Sequence, residues 1–291
     1  MGTLLTEKEW LAVLPTIKYV LSDCDGVLWN GDRAIDGSRE CLEKLRKLGK
    51  EVFYVTNNST KTREDGVNHC HKLKFQAQLN DIYSTAYATG AFLKNKGVKS
   101  IYLIGSRALW QEITSQGISC NEQGPDKTDA EWDSLKNIDL GDPVEAVVIG
   151  YDPHFSMSKV CRAASYLLNP KCLFIGTNED QTLPTDRKDI AVPGTGCVVS
   201  SVQTASGRQP TIIGKPHPTL IELLRNDHPD ITPQNALFIG DRLNTDIELG
   251  RRQGFRTLLV ESGVHKRTDI DPEKAPTYYL PSLGDLLKFM K

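Results

Sequence analysis

The chain has 291 residues, 39% of them hydrophobic and 25% charged, with a formal charge of −2. At ~150 residues per domain, that length accommodates about two globular domains. The balanced charge gives no electrostatic basis for a nucleic acid or anionic membrane partner, and no apolar run approaches the ~20 residues of a membrane span. The N-terminal segment carries Glu7, Lys8 and Glu9 where a secretory leader needs an unbroken apolar stretch. MGTLLT satisfies the loose myristoylation pattern, but no basic cluster follows it. The seven cysteines are odd in number and scattered, without Cys-x-x-Cys. That usage predicts reduced thiols in a cytoplasmic protein.

In chain order, short apolar runs alternate with amphipathic stretches. Strands are predicted at 18–23, 51–57, 100–105, 145–151, 172–178, 210–215, 236–241 and 257–263. Helices are predicted at 38–49, 63–75, 86–97, 108–117, 158–169, 195–207, 217–227 and 244–254, many of them ending on glycine. Such alternation reads as α/β with parallel sheets. The polar stretch 121–143 reads as a surface excursion. The chemically suggestive strand ends fall in two blocks, 23–63 and 214–246, and the interval between them has strands and helices of its own. The expected organisation is therefore a core made of residues 1–99 and 207–291, with residues 100–206 inserted as a second domain.

Parallel sheets bind ligands beyond the carboxyl ends of their strands. Four strand ends carry polar clusters: Asp23, Asp25 and Gly26; Thr56, Asn57 and Asn58; Gly214 and Lys215; and Gly240, Asp241 and Asp246. Alternation along an extended segment puts Asp23 and Asp25 on one side. Adding Asp241 makes three carboxylates, an arrangement that calls for a cation. Mg²⁺ suits hard oxygen ligands, and Lys215 with the Thr56 hydroxyl supplies donors for a phosphate beside it. A carboxylate can attack phosphorus and form an aspartyl phosphate, while a second one moves protons to the leaving oxygen and from water. Asp23 is read as the nucleophile and Asp25 as the acid/base. Gly26 lets backbone amides approach the phosphate closely. Singly, each cluster is an ordinary turn or cap; the signal is all four in this order.

These residues resemble the haloacid dehalogenase superfamily of phosphatases, whose four motifs match residues 23–29, 55–59, Lys215 and 239–247. The likeness extends over GYDPHFS (150–156), 169–180 and 193–209, as in the branch with a large α/β cap, and is greatest to eukaryotic phosphoglycolate and pyridoxal phosphatases. The resemblance implies a Rossmann-like core with an inserted α/β cap. It also implies that the Asp25 backbone carbonyl joins Asp23 and Asp241 on the metal, that Thr56 and Lys215 bind the phosphoryl group, and that Asn57 and Gly26 donate backbone amides to it. Asp246 positions Lys215 or a metal-bound water. The substrate is expected to be a small phosphorylated metabolite such as 2-phosphoglycolate, because Gln181-Thr182-Leu183 stands where the pyridoxal branch has a Trp-His pair. Pyridoxal 5′-phosphate is the alternative. In another class stand a phosphoacceptor signalling module, which lacks the paired Asp-x-Asp, and a non-catalytic relative. Relatives of this branch often pair through the cap, so a homodimer is expected.

Arg63, Asn178 and Arg187 are further candidates for substrate contact, with surface or turn roles as the alternative. Cys24, between the two acids, raises the question of redox sensitivity, against which stands the neighbouring negative charge. SMSK (156–159) reads as a helix cap at Ser156 rather than an acylation motif. His69 and His71 are two apart on a helix, facing different ways. The Asn58 sequon lacks a secretory context, and GTGCVV (194–199) reads as the start of a helix rather than a dinucleotide loop.

Overall fold

The computed structural model describes residues 2–183, 185, 187 and 189–290. Contacts divide the chain into two compact units. The first takes the residues up to Thr56, Arg63–Ser84, and those from Lys215 on; the second takes Asn57–Thr62 and Thr85–Gly214. Helix Thr85–Asn95 and strand Thr211–Ile212 go with the second unit, so it extends beyond the 100–206 read from the sequence. The helix carries no boundary signal, and the strand is only two residues long.

The first unit is built on a seven-stranded sheet in the order Thr3–Leu4, Tyr278–Leu280, Arg256–Val260, Ala236–Gly240, Tyr19–Ser22, Glu51–Thr56, Ile82–Ser84. Every pairing is parallel. The central strands Tyr19–Ser22 and Ala236–Gly240 are buried at every position, as strands covered on both faces must be. Helix Ser38–Lys47 buries Cys41, Leu42 and Leu45, with Glu40 in its first turn and Lys44, Arg46 and Lys47 in its last, matching the helix dipole. Helix Glu7–Val13, absent from the sequence reading, starts with a capping box. The Thr6 backbone N–H donates to Glu9 at 2.9 Å and the Glu9 N–H to the Thr6 hydroxyl at 3.3 Å.

The second unit has a five-stranded parallel sheet ordered Thr211–Ile212, Leu173–Gly176, Ala146–Ile149, Ser100–Ile104, Ser119–Cys120. Its core joins Ile104, Val147, Ile149 and Phe174 to Ala163 of helix Met157–Tyr166 and Val199 of helix Thr195–Ser206. Ser156 caps the former helix, accepting from the Lys159 N–H. Lys159 is itself buried against Asp152 at 2.5 Å. The polar stretch 121–143 lies along that helix: Arg162 reaches Asp126 at 3.1 Å and Thr128 at 2.7 Å, and the Ser158 hydroxyl donates to the Thr128 carbonyl. Among the described residues no helix is long and apolar enough to cross a membrane.

Candidate active site

Register brings the site together. Ser22 lies beside Ile239 on one side and Tyr54 on the other. The next residues along these central strands are Asp23, Gly240–Asp241 and Val55–Thr56, all at carboxyl ends of the sheet, where ligands of parallel α/β folds bind. Lys215, which enters the first unit from the second, places its ammonium 2.6 Å from Asp23 Oδ1, 2.8 Å from Asp246 Oδ1 and 2.9 Å from the Val55 carbonyl. Lys215, Asp23 and Asp246 are all buried.

The carboxylates that converge are Asp23, Asp241 and Asp246, whose ligating atoms lie within 4.8 Å of one another. The Asp25 side chain is not one of them. The strand ends at Ser22, and past that point alternation no longer decides which way a side chain faces. Asp25 is half-buried and bridges to Trp29 through the backbone. The Cys24 carbonyl accepts from the Leu28 N–H at 2.8 Å and the Gly26 N–H donates to the Trp29 carbonyl at 2.8 Å, so 24–29 is a closed turn. Ser262 Oγ holds the Gly26 carbonyl at 2.7 Å.

Asp241 is seated by a loop that the sequence reading passed over. Val264 N–H donates to Asp241 Oδ2 at 2.8 Å, and His265 N–H to the Asp241 carbonyl at 3.0 Å. A Cβ on Gly263 would stand 2.0 Å from that Oδ2, and one on Gly26 2.5 Å from it. Gly26 also has φ +84°, a conformation open chiefly to glycine. Its absent side chain thus makes room for a carboxylate as well as the backbone turn. The signal was the fifth strand end, ESGVH (261–265), following the apolar TLLV.

Three carboxylates against one ammonium leave excess negative charge in a buried place. Burial, then Asp246, pushes the Asp241 carboxyl up to about 6. Burial likewise pushes Asp23 well above the usual carboxylate range, with Lys215 pulling it back and Asp246 and Asp241 adding to the rise. Burial by itself would lower Lys215, but Asp23 and Asp246 hold it above its ordinary value. Asp241 Oδ1 is buried with no hydrogen-bond partner among the described residues. An unpartnered hard oxygen beside two other carboxylates fits a divalent cation such as Mg²⁺. Asp246 Oδ2 accepts from the Arg242 N–H at 3.1 Å, while its buried Oδ1 makes no aligned hydrogen bond among the described residues but pairs by charge with the Lys215 ammonium at 2.8 Å.

Thr56 ends its strand half-buried in the first unit, whereas Asn57 and Asn58 open the second. The Asn57 carbonyl accepts from Thr85 Oγ1 at 2.7 Å and from Asn178 Nδ2 at 2.9 Å. Asn58 Oδ1 accepts from the Thr60 N–H at 2.7 Å, closing a turn. Of the lesser candidates, Asn178 is 3% exposed and engaged with backbone. Arg187 is exposed and donates to Asp189 at 2.7 Å, and Arg63 begins helix Arg63–Lys72, half-buried. Cys24 lies in the apolar core, its thiol raised well above the usual range by burial and then by Asp23. His71 bonds to the Ala77 carbonyl at 3.0 Å, and His69 packs edge-on against Trp29.

A parallel α/β sheet that gathers three carboxylates and a buried lysine at its central strand ends defines a protein with an acidic, cation-suited site. Residues 20–119 match the model of haloacid dehalogenase-like hydrolases, and residues 212–286 a HAD-hydrolase-like model. Human glycerol-3-phosphate phosphatase is 35% identical over 97% of this chain and 94% of its own length. Human chronophin is 33% identical over 94% and 93%. A glycerol phosphate phosphatase of Mycobacterium tuberculosis, solved in complex with magnesium, superposes with a TM-score of 0.79 at 26% identity, covering 96% of this chain and 77% of that one. The chain belongs to the haloacid dehalogenase-like hydrolase family.

Proposed function

We propose that this protein is a Mg²⁺-dependent phosphomonoester hydrolase that works through an aspartyl phosphate on Asp23. The observation that carries the reading is the Lys215 ammonium fixed between Asp23 and Asp246, beside the unpartnered Oδ1 of Asp241. Lys215 holds one Asp23 oxygen, leaving the other to attack phosphorus as the ester P–O bond breaks. Asp25 donates a proton to the departing oxygen, then takes one from the water that cleaves the Asp23–phosphorus bond and regenerates the carboxylate. Thr56, Lys215 and the backbone N–H groups of Asn57 and Asn58 orient the phosphoryl oxygens; the Gly26 N–H, expected among these donors, is instead taken by the Trp29 carbonyl at 2.8 Å. Asp23, Asp241 and the Asp25 carbonyl would hold Mg²⁺, which neutralises charge on the transferring group. Asp246 keeps Lys215 in place.

The substrate in this reading is a small acyclic phosphate, of which 2-phosphoglycolate is the type. Gln181-Thr182-Leu183 at the start of the hairpin of strands Thr182–Leu183 and Val192–Pro193 supports it, and so does the likeness to phosphatases named for glycerol phosphates. The likeness to chronophin, a pyridoxal phosphatase, supports pyridoxal 5′-phosphate as a second reading. In the same proposal the inserted residues, 100–206 in the sequence reading, act as the specificity cap. The protein works in the cytoplasm, which its free cysteines suit, and pairs as a homodimer through the cap. The test is phosphate release with Mg²⁺ from phosphoglycolate, glycerol 3-phosphate, pyridoxal 5′-phosphate and nucleotides, with Asp23→Asn as control. Release by the control equal to wild type refutes the mechanism. A preference for pyridoxal phosphate refutes only the first substrate assignment.

A further inference from the structure

Asn57 follows Thr56 directly, and Gly214 directly precedes Lys215. Inside the second unit these two residues meet at one side chain, Asn178. Its Nδ2 donates to the Asn57 carbonyl at 2.9 Å, while its Oδ1 accepts from the Asp180 N–H at 3.1 Å. Thr85 Oγ1 donates to the same Asn57 carbonyl at 2.7 Å. The Asn57 side-chain amide in turn reaches toward both Asp180 oxygens, at 3.4 and 3.5 Å. Gly214 N–H donates to the Thr177 carbonyl at 2.8 Å. A Cβ on Gly214 would stand 2.7 Å from Asn57 Oδ1 and 3.0 Å from the Asn178 Cβ. Asn178 and Thr85 are 3% and 0% exposed.

A buried carbonyl is satisfied by one partner; this one takes two donors, from two elements far apart in sequence. The peptide unit is planar, so fixing the Asn57 carbonyl also fixes the direction of the Asn58 N–H. The Asp180 end of Asn178 is anchored as well: Gly196 N–H donates to the Asp180 carbonyl and Gly194 N–H to that of Gln181, at 2.9 and 2.8 Å. Asn178 thus joins the segment leading to Asp180 and Gln181 to the segment that follows Thr56.

We propose that Asn178, assisted by Thr85, is a positioning residue for the reaction: through the Asn57 carbonyl it aims the backbone N–H of Asn58 at the phosphoryl group. This rests on the phosphatase reading above. Asn178 touches no substrate in this role, so its effect falls on turnover for every phosphomonoester alike.

The test compares Asn178→Asp, Thr85→Val, Thr85→Ser and the Asn178→Asp/Thr85→Val double variant. Asn178→Asp keeps the acceptor for the Asp180 N–H, but removes the donor to Asn57 and adds a buried charge, so the neutral Thr85→Val, which removes the other donor to the same carbonyl, is read against it. Steady-state kinetics use 2-phosphoglycolate, glycerol 3-phosphate and 4-nitrophenyl phosphate with saturating Mg²⁺, and thermal unfolding is followed on the same samples. Asn178→Asp is expected to lower kcat about tenfold to hundredfold, by the same factor on each substrate that turns over, with KM changed far less. Thr85→Val is expected to lower kcat and Thr85→Ser to restore it. The double variant should lose less than the product of the single losses, because both donors act on one carbonyl. Unchanged kcat in Asn178→Asp, a rise in KM for one substrate only, or fully multiplicative losses would each overturn the proposal. Should Asn178→Asp not fold, the Thr85→Val and Thr85→Ser pair decides by the same criteria. If wild type and Asp23→Asn release phosphate equally, the phosphatase reading itself fails, and this inference with it.

Discussion

Replacing Lys215 by methionine keeps most of the buried aliphatic stem and removes the charge. In the native site the ammonium lies 2.6 Å from Asp23 and 2.8 Å from Asp246. At an effective dielectric of ~20, each contact is a gross attraction of about 6 kcal/mol, largely offset by the desolvation of burying the ions. Removing one partner of a buried pair costs about 3–5 kcal/mol, because the charge left behind stays unpaired. That is the expected loss for metal-free Lys215→Met at pH 8. Asp23 and Asp241 both have folded-state values above the ordinary carboxylate value. Across the window between the ordinary and raised values the native state therefore binds more protons than the unfolded chain, and stability rises as pH falls. Without Lys215 the carboxylates protonate more readily still, so the cost of the substitution shrinks at pH 5. Urea unfolding of wild type and variant at pH 8 and pH 5, with and without Mg²⁺, measures this. Added Mg²⁺ should stabilise both proteins at pH 8. A loss below about 1 kcal/mol at pH 8, or an equal loss at both pH values, would refute the reasoning, since the first means a solvated lysine and the second a packing effect.

Mg²⁺ affinity of the wild type, by calorimetry, should weaken as pH is lowered from 7 to 5, because the Asp241 carboxyl, pushed up to about 6, must release its proton to bind metal. A flat profile contradicts the assignment of Asp241. Gly26→Ala places a Cβ 2.5 Å from Asp241 Oδ2 at φ +84°. It should cost about 1–3 kcal/mol of stability and reduce Mg²⁺ affinity as well; unchanged affinity would show that the carboxylate need not move. In the second unit, Lys159→Met leaves Asp152 buried without its 2.5 Å partner. It should destabilise by about 3–5 kcal/mol in thermal or urea unfolding, while kcat per folded molecule stays at the wild-type value.

What was legible in the sequence depended on length and repetition. Each of the eight predicted strands has a counterpart; most are continuous apolar runs, as parallel strands covered on both faces must be, while Thr211–Ile212 is a two-residue edge strand that the longer apolar run 210–215 revealed. Two-residue strands such as Thr3–Leu4 and Val192–Pro193 have too few residues for any period. Helix Glu7–Val13 was hidden for another reason: its signal is the cap Thr6-x-x-Glu9 rather than its apolar face, of which only Trp10 is buried. The 24–29 turn lies beyond regular structure, so alternation could not show that the converging group is Asp23, Asp241 and Asp246 without the Asp25 side chain.

Gly26 shows where reading residue by residue stops. From the sequence, a glycine after Asp-x-Asp serves the close approach of a phosphate, a relation between neighbours in the chain. In the structure it also clears space for Asp241, more than two hundred residues later, together with Gly263. Lys215 has the same character: nothing in Gly-Lys-Pro tells that its ammonium is shared between Asp23 and Asp246. Local pattern names the groups able to do chemistry, but their charge balance is set by pairs that only the parallel sheet brings together. That balance of three carboxylates against one ammonium is the reason the site suits a divalent cation, and it belongs to no single motif.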